Sequence, residues 1–94
     1  MSASYVIEAD PAAALLGDVN AVCAHLLERW PTPEMGAEID ETPWASDPER
    51  RADGSVAVDL SVSALEELLP EIYDTARQHG CRVFDAQAGE YLSD

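Results

Sequence analysis

The residues with the widest chemical reach in this chain are two cysteines and two histidines, arranged as Cys23-x-His25 and His79-x-Cys81. Thiolate and imidazole are the standard ligands of zinc. The spacing argues against a shared ion, because residues i and i+2 on a helix project about 200° apart. Cys23 and His25 therefore face away from each other, and no metal is expected. An EF-hand is absent too. Asp47 and Asp53-Gly54 reproduce neither its alternating oxygen ligands nor its closing glutamate. Glu38, Asp40 and Glu41 are dense enough to hold a cation weakly, but a solvated acidic loop is the simpler reading.

Nucleophilic catalysis needs a base beside the nucleophile. No G-x-S-x-G elbow surrounds a serine, and no glycine-rich loop is built to cradle phosphate. The 19 acidic residues offer many chance carboxylate pairs, and nothing selects one of them. The expectation is a protein that is not an enzyme and carries no cofactor.

Recognition is the chemistry that remains. Residues 34–54 concentrate Glu34, Glu38, Asp40, Glu41, Asp47, Glu49 and Asp53 against only Arg50 and Arg51. Trp44 sits in their midst, and tryptophan is favoured at the centre of interfaces. The expected partner-binding set is Glu38, Asp40, Glu41, Trp44, Asp47 and Glu49. The competing reading folds Trp44 back over the core as a lid.

Charge sets the class of partner. Five arginines and no lysine leave a net charge of −14. Such a field repels nucleic acid and anionic membrane and attracts cationic partners. Solubility alone is the other reason for such acidity. The two cysteines form no disulfide framework and read as small buried hydrophobes. No apolar run is long enough to span a bilayer. The opening MSASYVIEAD lacks the basic start and apolar core of a secretory signal. A single cytoplasmic domain is expected.

These residues need elements to position them. Tyr5 to Glu8 reads as a strand. Asp10-Pro11 is a good N-cap and first-turn pair, and Asp18 caps a second start after Gly17. Val19, Val22, Cys23, Leu26, Leu27 and Trp30 then recur at helical spacing until Pro31. Met35 to Asp40 is assigned a second strand. Ser55 to Leu60 is a third, with Val56, Val58 and Leu60 on one side.

Ser63 with Glu66 forms a capping-box pattern. Leu65, Leu68, Leu69, Ile72, Tyr73 and Ala76 follow as an apolar stripe. Pro70 either kinks that helix or opens its main part at the first position. Gly80 ends it. Cys81, Val83 and Phe84 form a strand, and Glu90-Tyr91-Leu92 returns beside it after a turn.

The order β-α-β-β-α-β predicts an α+β fold: a two-layer ferredoxin-like plait, mostly antiparallel, with both helices on one face. The opposite face then needs polar residues, a partner or a second copy.

Three of these motifs resemble those of a group of small bacterial proteins of uncharacterised function. They are the loop Pro43-Trp44-Ala45, the helix end Ala76-x-x-His79-Gly80, and the turn Phe84-Asp85-Ala86-Gln87-Ala88-Gly89. The likeness covers roughly the C-terminal two-thirds and rests on motifs of structural type. Proline is commoner in the group where this chain has Ala86. The resemblance implies no established activity, and by association it points to immunity partners of bacterial toxins.

The expected function is a non-catalytic acidic protein-binding domain, an immunity protein or antitoxin that neutralises a basic toxin. The alternative is a homodimeric small-molecule-binding or regulatory domain.

Overall fold

Alternation along the strands separates two faces of one sheet. Ala3, Tyr5 and Ile7 are buried while Ser4, Val6 and Glu8 are half-buried, and Val56, Val58 and Leu60 alternate likewise with Ala57, Asp59 and Ser61. A computed structural model describes residues 2–14, 16–32, 36 and 42–92, the side chain of Asp47 excepted. The elements are β1 (Ser2–Ala9), α1 (Val19–Arg29), β2 (Trp44–Arg50), β3 (Val56–Ser61), α2 (Leu65–Gln78), β4 (Cys81–Asp85) and β5 (Glu90–Tyr91). The strands lie in the order β2-β3-β1-β4-β5, and every neighbouring pair is antiparallel.

Register places apolar residues opposite one another on the buried face. Tyr5 faces Val58, and Ile7 faces both Val56 and Val83. Against them pack Val22 and Leu26 of α1 and Leu68, Ile72 and Ala76 of α2, all in one core cluster. Burying each of the larger side chains stabilises the fold by about 1.5–3 kcal/mol before entropy is counted. The α+β class, the antiparallel sheet and the two helices agree with the sequence reading.

Three local expectations are corrected. The strand after α1 is Trp44–Arg50, inside the stretch read as a loop; the strand expected at Met35 to Asp40 falls, but for Gly36, outside the described residues. Pro48 hides β2 from pattern reading. Its missing N–H is tolerated because β2 is an edge strand, and the pairing with β3 shifts register on both sides of Ser46.

The second correction concerns Asp10-Pro11, which opens a turn and not a helix. The Asp10 carboxylate accepts from the Ala12 amide at 2.9 Å, and α1 begins only after Asp18, whose carboxylate accepts from Ala21 N–H at 3.0 Å.

Third, the capping box does not form. A 3-10 turn over Val62–Ala64 runs straight into α2, so Ser63 already lies inside the helical run and its hydroxyl meets that of Ser61. For Pro70 the sequence leaves two positions open, and the structure decides between them: it lies inside α2, five residues after its first position, and does not open the helix. It offers no N–H to the carbonyl of Glu66, four residues back. Both residues are exposed, so water can serve that carbonyl.

Candidate functional site

The expected acidic cluster is only partly within view. Glu38, Asp40 and Glu41 lie outside the described residues, as does the side chain of Asp47. Glu49 is exposed on β2, opposite Ala57 of β3. Trp44 is a core residue, 5% exposed, so the lid reading replaces the exposed anchor. The reason is register. Trp44 pairs with Leu60, which points into the core, and the indole Nε1–H donates to the carbonyl of Trp30 at the end of α1. Pro43 secures the start of the strand, its carbonyl accepting from Ser61 N–H at 2.7 Å.

The uncovered face of the sheet carries its own polar partners. Asp59 accepts from the hydroxyls of Ser4 at 2.5 Å and Ser46 at 2.8 Å. These two bonds stabilise the charged form and hold the Asp59 carboxyl below its usual range. At the other end Arg82 grips Glu8 through Nη2 at 2.9 Å and Nε at 3.2 Å, which strengthens its own hold on the proton. The same guanidinium lies 4.1 Å from the centre of the Tyr91 ring, and Phe84 meets Tyr91 edge-on. Between these polar groups runs a row of Ala57, Val6, Phe84 and Tyr91, one residue from each of four strands.

A second exposed feature is the connection from β1 to α1. Its two ends are tied to consecutive carbonyls at the end of α2: Asp10 N–H donates to Gly80 at 3.0 Å, and Asp18 N–H donates to His79 at 2.9 Å. Gly80 can supply this geometry because it sits at φ 68, where residues with a Cβ are strained. Gly17 completes the clamp. A Cβ there would lie 2.5 Å from that of Ala9 and 2.9 Å from the Gly80 oxygen. The clamp thus assigns a role to the Ala76-to-Gly80 motif.

The third motif is also structural. The Asp85 carboxylate accepts from the amides of Gln87 and Ala88 and from the Gln87 side chain, while Gln87 Oε1 accepts from Ser4 N–H.

Sequence reasoning missed the Ser4–Asp59–Ser46 cluster and the clamped loop. Asp59 is visible as a polar position in the alternation of Ser55 to Leu60, but Ser4 precedes the strand read from Tyr5 and Ser46 lies in the stretch read as a loop, and their meeting depends on register. The clamp joins Asp10 to Gly80 and Asp18 to His79, far apart in sequence, and no local pattern signals it.

Neither cysteine is in a disulfide. Burial pushes the Cys81 thiol up, and it does the same to half-buried Cys23 against the opposing pull of Arg50. Among the described residues no three His, Cys, Asp or Glu side chains gather as metal ligands, and no helix is long and apolar enough to cross a membrane. Compared with family models, curated proteins and solved structures, the chain matches none of them.

Proposed function

We propose that this chain is a non-catalytic acidic domain that binds a basic protein, as an immunity protein or antitoxin covers a bacterial toxin, and that it works in the cytoplasm. Charge is the observation that carries the reading: −14 on 94 residues. Glu28, Glu49, Asp53, Glu66, Glu67, Asp74 and Glu90 all stand exposed. Two arginines pair with carboxylates, Arg29 with Glu71 at 3.3 Å and Arg82 with Glu8. A field of one sign steers a cationic partner and speeds its encounter. The acids at 38, 40, 41, 47 and 49 remain the proposed contacts, without Trp44 at their centre.

The order β2-β3-β1-β4, with β5 added outside β4, supports assigning the ferredoxin-like plait. The grouping with small bacterial proteins of uncharacterised function is proposed on the three shared sequence motifs alone. The homodimer reading is the weaker one. Pairing two open sheet faces would bring Glu8, Glu49 and Asp59 of both copies into one interface, and each chain brings −14.

The test is affinity purification from the native cell at low salt, followed by association rates with the captured protein. A basic partner is expected, with an association rate that falls at least tenfold as salt rises from about 20 to 300 mM, where the Debye length shrinks well below 10 Å. A rate indifferent to salt sinks the electrostatic reading.

A further inference from the structure

We propose that the loop between β1 and α1, residues 10–18, is the apolar anchor of that interface, and that it seats in an apolar recess bordered by lysines and arginines on the partner. The proposal rests on the reading of the chain as an acidic binder of a basic protein.

Composition and exposure single the loop out. Its sequence from Pro11 is Pro-Ala-Ala-Ala-Leu-Leu-Gly. Pro11, Ala12 and Ala14 are exposed, and Leu16 is 96% exposed, more than any other large hydrophobic side chain among the described residues. Scattered surface leucines are ordinary; here Leu16 shares one short connection with exposed Pro11, Ala12 and Ala14.

The loop is also built to stay outside. Its ends are fixed on the His79 and Gly80 carbonyls, Gly17 is wedged against Ala9, and the Asp10 carboxylate ties down the first turn. Compact loops with close ends frequently carry function. A loop anchored at both ends contributes contact area at a lower ordering cost than a free one. It stands between two depressions. One, of about 590 Å³, is bordered by Glu8, Asp18, Arg50 and Asp53; the other, of about 350 Å³, by Asp10, Arg77 and Cys81.

Charge then selects the occupant. Glu8, Asp18 and Asp53 line one depression with Leu16, Asp10 lines another with it, and Arg50 in the first donates to Asn20. A second copy would bring the same carboxylates and another −14 to the contact. An anionic bilayer or a nucleic acid is repelled in the same way. A cationic protein gains from both parts of the surface: its basic rim meets the carboxylates while its recess covers Leu16. An apolar centre inside a charged rim is the usual anatomy of a tight interface.

The experiment compares the full chain with Leu16→Ser and with the conservative Leu16→Met. The protein captured by wild type at low salt is identified, purified and titrated against all three. We expect a basic protein, binding weakened about tenfold or more by Leu16→Ser chiefly through faster dissociation, near wild-type binding by Leu16→Met, and one salt dependence for all. Matching thermal melts confirm that the exposed substitution leaves the fold intact. Equal binding of Leu16→Ser and wild type to a basic, salt-sensitive partner overturns the anchor and leaves the functional reading standing. Capture of no protein, or of one that is not basic or binds independently of salt, removes both.

Discussion

Trp44 fills the core beneath the start of β2 and also satisfies the Trp30 carbonyl at the end of α1. The two contributions separate by substitution. Trp44→Phe keeps an aromatic ring but orphans the carbonyl, and is expected to cost about 1–2 kcal/mol. Trp44→Ala also leaves a cavity and is expected to cost about 3–5 kcal/mol. Urea unfolding followed by circular dichroism measures both; equal losses would mean that the ring contributes nothing beyond its hydrogen bond.

Asp59 makes a prediction in pH. Its folded carboxyl titrates below the unfolded value, so its stabilisation is complete above that value, about 3.9, and disappears as pH falls through the lower folded one. Asp59→Asn should therefore lower stability at pH 7, with the gap to wild type closing below about pH 4. A gap that stays constant through acid would show that the charge on Asp59 has no part in it.

The type of Trp44 was legible in the sequence and its orientation was not. Proline and acid on both sides suggest a loop, and only the pairing with Leu60 turns the indole inward.

At the scale of elements, local chemistry was readable wherever period and burial agree. The alternation in β3 and the stripe on α2 predict their buried faces correctly, because each is a short regular element packed on one side. Readings failed where a neighbour distant in sequence decides. The loop at Asp10 is drawn to the end of α2, and the 3-10 turn before α2 absorbs the capping serine.

Gly17→Ala tests the loop clamp. The added methyl meets a Cβ and a carbonyl oxygen that are both fixed, so a loss of about 1–3 kcal/mol is expected by chemical denaturation. Retained stability would mean that Ala9 or Gly80 yields freely. Pro70→Ala should act the other way. It restores the N–H aimed at Glu66, where proline inside a helix costs about 3 kcal/mol, while giving up the roughly 0.4–1 kcal/mol by which proline restricts the unfolded chain. The melting temperature should rise; a fall would show that the proline ring is needed for packing.

At the scale of the whole molecule, −14 charges on one small fold repel one another. Added sodium chloride screens that repulsion, so the melting temperature at pH 7 should rise by a few degrees between about 10 and 300 mM salt. A flat profile would place the carboxylates too far apart to interact.

The margins of the sheet hold one further consequence. On one side β2 breaks its ladder around Ser46 and lacks a donor at Pro48; on the other β5 is only two residues long. Neither border offers an incoming strand a continuous row of free backbone groups. Even concentrated in solution, the described strands present no ready template from which cross-β fibrils could grow while the fold is intact.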